Sequence, residues 1–193
     1  MDSVEAAVAW QPAVGLQLGL NVFRYRMRDI LRHVPNADPT TGATAQNSGE
    51  QTGTGFEFEA AWDVSRTLRL SGHHAYQRSI DEATQQNAGM APRHHTYLRA
   101  DWRFASGWLF NAQVNRVADR QREPGDTRPK IADYTTVDFT LRAQRGRTPW
   151  DVAFSVRNAF NADVREPSPA PGLIPNDFPL PRRHGFVEAR YAF

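Results

Sequence analysis

Between Thr96 and Phe104 the chain alternates strictly. Leu98, Ala100, Trp102 and Phe104 fall on one face of an extended strand; Tyr97, Arg99, Asp101 and Arg103 fall on the other. The pattern recurs along the whole sequence. Val137, Phe139, Leu141 and Ala143 oppose Thr136, Asp138, Thr140 and Arg142. Trp150, Val152, Phe154 and Val156 oppose Asp151, Ala153, Ser155 and Arg157, and Phe56, Phe58, Ala60 and Trp62 oppose Glu57, Glu59 and Ala61. At the two ends Val4, Ala6, Val8 and Trp10 oppose Glu5, Ala7 and Ala9, and Val187, Ala189, Tyr191 and Phe193 oppose Glu188, Arg190 and Ala192. A sustained period of two commits the chain to β-strands with one apolar face.

The alternation predicts about nine strands, near 3–10, 15–33, 49–62, 67–78, 94–104, 108–119, 134–144, 150–160 and 184–193. No segment reads as an amphipathic helix, and no composition shift divides residues 1–193 into two domains. The phase slips at Val22–Phe23, which predicts a β-bulge or a change of environment there. Connections near 11–14, 63–66, 105–107 and 145–149 are short. Those near 34–48, 79–93, 120–133 and 161–183 are long and rich in Pro, Gly, Asp, Asn and Thr. Short turns at one end and long loops at the other describe an antiparallel up-and-down sheet.

The faces then say what surrounds that sheet. Arg69, Arg99, Asp101, Arg103, Asp138, Arg142, Asp151, Arg157, Glu188 and Arg190 would all crowd the interior of a soluble barrel, where charge at that density is very costly. A wet lumen accepts it. All five tryptophans, Trp10, Trp62, Trp102, Trp108 and Trp150, sit beside short turns on the apolar face, as in an interfacial girdle. The fold class expected is therefore all-β: an antiparallel, up-and-down transmembrane β-barrel segment in outer-membrane lipid of the Gram-negative type. Nine strands place the N-terminus at the long-loop end, whereas single-chain barrels usually have an even number. That points to an incomplete barrel. Two further readings stay open: a complete small outer-membrane barrel acting as a passive pore, and a soluble β-barrel that binds an apolar ligand.

Composition removes other classes. The net charge is +2 in 193 residues, which does not argue for a nucleic-acid surface. Cysteine is absent, so no disulfide, thiolate metal site or cysteine nucleophile exists. Asp2 and Glu5 at the start do not read as a secretory signal.

Several segments resemble the C-terminal barrel portion of TonB-dependent outer-membrane receptors. They are Asn47-Ser48-Gly49-Glu50 leading into Gly53-Thr54-Gly55-Phe56-Glu57-Phe58-Glu59; Leu68-Arg69-Leu70-Ser71-Gly72 with Tyr76; Ala91-Pro92-Arg93-His94; Arg157-Asn158-Ala159-Phe160-Asn161; and Pro181-Arg182-Arg183 followed by Phe186 to Phe193. The resemblance implies a roughly 22-stranded barrel plugged by an N-terminal domain. It implies uptake of a scarce nutrient such as a ferric siderophore, haem or cobalamin, driven by the TonB complex through that plug. The plug and TonB box have no counterpart in these residues, so transport by this chain alone is not expected. The resemblance also implies that Val187, Ala189, Tyr191 and Phe193 form a C-terminal signal read by the barrel-assembly machinery.

Other constellations carry less. Adjacent histidines on a strand point to opposite faces, so His73–His74 and His94–His95 each offer one imidazole to the lumen. An estimated pairing of 78 with 93 places His74 opposite residue 97 rather than beside His94, which speaks against a metal site. Arg99, Arg157 and His94 are the candidate lumen or rim ligand contacts. Ser71 and His73 share a face, yet nothing marks a third catalytic partner, and no enzyme, metal or cofactor is expected. Gly49, Gly53 and Gly55 lack the following G-K-[ST] of a phosphate loop and read as positions that let the strand bend.

Overall fold

The computed structural model describes all residues except 124–125, 144–148, 170–173, 175 and 193. Nine long strands form one antiparallel sheet: β1 Asp2–Ala13, β2 Leu16–Pro35, β3 Ala43–Asp63, β4 Leu68–Asp81, β5 His94–Ala105, β6 Trp108–Ala118, β7 Tyr134–Ala143, β8 Trp150–Arg157 and β9 His184–Tyr191. They pair in simple sequence order, so every neighbour in the sheet is a neighbour in the chain. Among the described residues β1 and β9 do not pair with one another, and the sheet is open. Three two-residue strands, Gln86–Asn87, Arg165–Glu166 and Phe178–Pro179, and a short 3-10 turn at Pro39–Thr41 belong to the long loops. The expected connection at 145–149 lies, apart from Pro149, outside the described residues.

The tight turns have a local cause. Gly15 and Gly107 close the β1–β2 and β5–β6 hairpins with φ of 79° and 75°, a region that glycine enters without penalty. At the other end Asn158 and Asn161 hold φ of 48° and 58°. The Asn158 side chain donates to the Ala162 carbonyl at 2.9 Å and accepts from the Ala162 amide at 2.8 Å. Asn161 Oδ1 accepts from the Arg183 amide at 3.1 Å. The two asparagines of the Asn158–Asn161 motif thus turn the chain out of β8 and tie it to the strand that returns.

The slip at Val22–Phe23 is a change of environment, not a bulge. Register is continuous from Leu16↔Trp62 to Met27↔Gln51, so Val22 stays outside and Phe23 turns inside opposite Gly55. The ladder breaks later, at Met27–Leu31, where Asp29 takes φ of 58°. The signal in the sequence came from an aromatic ring filling a glycine gap on the inner face.

Side chains sort by face throughout. The described hydrophobic residues that are buried are Val117, Ile131, Ala153 and Val164, all near loops or strand pairs. The large apolar side chains instead lie exposed on the outer face, with Val8 at 59%, Leu98 at 54% and Phe154 at 52%. A soluble barrel would bury them; a sheet whose outer face meets lipid has no reason to.

Candidate functional site

The tryptophans define a level. Trp10 belongs to the row Leu18, Ala60, Gly72, Leu98, Val114 and Val137. Trp62 sits one outward-facing row lower, opposite Leu16 and Leu70. Trp102 is one row lower again, opposite Leu68 and Phe110. Trp108, opposite Ala143, and Trp150, opposite Tyr191, continue the descent. A ring at one membrane depth must cross hydrogen-bonded rows in this way when strands tilt, as barrel closure requires. All five are exposed on the outer face, between 42% and 62%.

Above that level the outer face changes character at a constant distance. Asp2, Thr54, His94 and Arg116 stand eight positions from Trp10, Trp62, Trp102 and Trp108 on the same strands and the same face. Eight residues span about 26 Å of strand, or roughly 20 Å along the normal at a tilt near 40°. That is close to the height of a lipid-facing band.

The inner face is a wall of compensated charge. Arg99 grips Asp101 with Nε–Oδ2 at 2.7 Å and a second bond at 2.9 Å. Asp101 also accepts from Asn111, which in turn accepts from Gln113. Arg157 donates to Asp138 at 2.8 Å and lies 5.9 Å from the Phe186 ring centre. Arg142 joins Asp151 and Glu188, and Arg69 joins Asp63.

His94 is not part of this wall. It stands on the outer face with Leu98 and Trp102, because Tyr76 pairs with His94 and His74 pairs with Thr96. The ladder is one residue out of step with a pairing of 78 and 93, so His74 shares the outward face that His94 holds by its parity with Leu98 and Trp102. His74 and His94 consequently are neighbours, with Nε2 and Nδ1 3.5 Å apart and ring centres at 5.5 Å. The other member of each pair turns inward. His73 stacks on Tyr97 at 5.5 Å and meets His95 edge-on at 5.3 Å. His95 Nε2 lies 2.7 Å from Asn115 Oδ1.

These inward rings adjoin a cavity of ≈ 460 Å³ near the long loops, lined among others by His95, Asn115, Tyr134, Arg93, Arg120 and Glu166. Tyr134 shares a sheet row with His95 through Val117, which pairs with both, whereas Glu166 reaches the cavity only through the long 161–183 loop. Arg120 is buried, donates to the Ala132 and Arg165 carbonyls and to Glu166 at 2.6 Å, and sits 5.0 Å over the Tyr134 ring. Behind it the loops are clasped. Arg122 makes a two-pronged bond to Asp177, 2.7 Å on each prong, and Arg128 reaches the Ser168 hydroxyl and carbonyl. The Arg128 guanidinium and backbone amide hold the Asp126 carboxyl down at about 2. Arg122 lowers Asp177 in the same sense, and Lys130 lowers Asp119. No group of three or more His, Cys, Asp or Glu that could hold a metal occurs among the described residues.

On β9, Val187, Ala189 and Tyr191 face outward opposite Phe154, Val152 and Trp150. Tyr191 meets Trp150 edge-on at 4.9 Å. Phe193 lies outside the described residues.

An open antiparallel sheet with a lipid-facing apolar side, an aromatic girdle beside short turns and a charged concave side is a section of an outer-membrane β-barrel wall. The profile of the TonB dependent receptor-like, beta-barrel family matches residues 1–159, and the chain belongs to that family of Gram-negative outer-membrane proteins. It is 28% identical over 138 residues to the metal-pseudopaline receptor CntO of Pseudomonas aeruginosa PAO1, a match covering 65% of this chain and 19% of that protein. The siderophore receptor PiuA of Acinetobacter baumannii superposes with a TM-score of 0.78 at 15% identity, covering 97% of this chain and 27% of PiuA. The ferric enterobactin receptor PfeA of P. aeruginosa does so with 0.75 at 17%, covering 97% of this chain and 30% of PfeA. The chain therefore spans less than a third of each.

Proposed function

We propose that this chain is the C-terminal wall of a larger barrel, part of a receptor that takes up a metal held by a small chelating molecule across the outer membrane. The observation that carries this reading is the inward cavity at the loop end, where His95, Tyr134, Asn115 and Arg120 converge beside His73 and Tyr97. Imidazole, phenol and guanidinium suit a polar, partly anionic chelate. The resemblance in sequence to a metal-pseudopaline receptor favours a metal chelate over haem, cobalamin or a sugar. Arg99 and Arg157, neutralised by Asp101 and Asp138, line the wall below and act on solvent rather than grip the ligand. In this account the plug and the contact with the TonB complex are supplied by the rest of the receptor. The outward residues Val187, Ala189 and Tyr191 of β9, with Phe193 following in the sequence, are offered to the barrel-assembly machinery. The role is binding and passage, with no catalytic step.

The test is equilibrium binding to the chain in detergent micelles, read by tryptophan fluorescence, with metal–pseudopaline and ferric enterobactin as probes. Binding of one of them, weakened about tenfold or more by His95→Ala, supports the reading; a lost charge-assisted or ring contact is worth that much. Absence of binding by both, or equal binding by the variant, overturns it.

A further inference from the structure

We infer that the outward face of β4, just above the lipid-facing band, binds the phosphate of a lipid headgroup in the outer leaflet. This does not depend on which nutrient the receptor carries. The long loops of such barrels are extracellular, so the upper polar edge meets that leaflet.

Arg78 is the centre of the site. Arg24 pairs with Thr54 and Thr54 pairs with Arg78, so two guanidiniums flank one hydroxyl on a single row. The two arginines are about 10 Å apart across the sheet, two strand spacings, a gap that their long side chains can close around one anion. Thr54 is the residue eight positions above Trp62, which places the row at the top of the apolar band. Arg24 and Arg78 are exposed and, among the described residues, neither forms an ion pair, whereas Arg26 and Arg28 one and two outward rows higher pair with Glu50 and Asp2. Arg24 borders Asp2, Glu50 and Glu82, of which Glu50 and Asp2 are held by Arg26 and Arg28 and Glu82 by Thr52 and Gln85, so Arg24 plays the lesser part.

A pocket of ≈ 310 Å³ opens beside Arg78. Its polar lining is Arg78, Gln85, Gln86, Asn87, Arg93 and Arg122, with no carboxylate among the lining residues. The remaining lining residue, Ile80, is the next outward residue on β4 and supplies an apolar contact. Arg93 and Arg122 are already held by Asp119 and Asp177, which leaves Arg78 as the uncompensated charge. The Arg93 Nε is buried with no acceptor. Guanidinium and amide donors around a small concavity, with an apolar residue above and no carboxylate in the lining, form a phosphate receptor rather than a cation site. A solvated surface arginine would not need the pocket.

The probe is phosphatidic acid titrated into the full chain in zwitterionic micelles, compared with diacylglycerol of the same tails and with inorganic phosphate. The expected result is saturable binding of phosphatidic acid, none of diacylglycerol, and a loss of about tenfold in Arg78→Gln, the scale of one charge-assisted contact. Arg24→Gln weakens binding to a lesser degree, and Arg78→Lys retains part of it. Arg103→Gln, on the inner face near the short turns, leaves it unchanged and controls for folding. Equal affinity of wild type and Arg78→Gln overturns the assignment. Full competition by inorganic phosphate at comparable concentration overturns the lipid source and leaves a free-anion site.

Discussion

Tyr25 stands opposite Gly53 in the β2–β3 ladder and occupies the space in which a side chain at Gly53 would lie. Its hydroxyl bonds Ser79 at 2.6 Å and accepts from Gln51 at 2.9 Å, so the ring is pinned flat across three strands. A β-carbon at position 53 would overlap that ring. Gly53→Ala is expected to cost about 1–3 kcal/mol, the usual penalty of overpacking. Tyr25→Ala in the same chain should recover part of the loss. Urea midpoints of the single and double variants in micelles measure the coupling.

A charge on the outer face should be costly where the same charge inside is not. Leu98→Arg, on the row of Trp10 and well within the apolar band, is expected to destabilise the membrane-inserted state by about 2–4 kcal/mol. Gln113→Arg, on the adjoining strand but facing inward beside Arg99, should cost little. Unfolding from lipid vesicles in guanidinium compares the two.

The loop clasp should be sensitive to acid and not to mild alkali. Asp126, Asp177 and Asp119 have carboxyl groups lowered by their arginine and lysine partners. Groups lowered on folding stabilise the fold fully above their ordinary range near ~3.9. That stabilisation is lost as pH falls toward the folded value, about 2 for Asp126. The clasp is therefore expected to hold at pH 5 and above and to open between about pH 4 and pH 2. Hydrogen exchange of residues 119–133 against that of β6 follows the opening.

Asp177→Asn removes the charge and one of the two acceptor oxygens of the Arg122 fork with little change of shape. It should raise protease sensitivity of the 161–183 loop several-fold at neutral pH while leaving the strands intact, since loop opening and barrel unfolding are separate events. Peptide mapping after brief digestion locates the cuts.

Strand positions and faces were legible because alternation is a local property: all nine long strands overlap the segments that period two marked, although β3 begins at Ala43 rather than 49, because the polar run 43–48 pairs with the end of β2. The outward placing of the five tryptophans was legible because each shares the apolar parity of its strand. The neighbour of His94 was not. His94 shares the outward parity of Leu98 and Trp102, but which residue of β4 it meets depends on whether residue 78 pairs near 92 or 93, and the 79–93 loop conceals that single step of register. Tyr134, Arg120 and Glu166 were beyond reach for another reason. Tyr134 shares a row with His95 only once the register across the 120–133 connection is set, and Arg120 and Glu166 meet through long loops whose side-chain bonds leave no periodic trace. Of the two causes open at Val22–Phe23, the change of environment holds: an inward phenylalanine over glycine imitates a break in phase, while the real break at Asp29 left no such sign.

Quenching of tryptophan fluorescence by brominated lipids tests most directly the claim that the outer face meets lipid. Because the five tryptophans share one depth, the whole chain reports as a single layer. In vesicles the account predicts strong quenching by bromine placed near the headgroup and weaker quenching by bromine at mid-chain. Unquenched fluorescence from a chain that stays folded and monomeric in detergent-free buffer would contradict it.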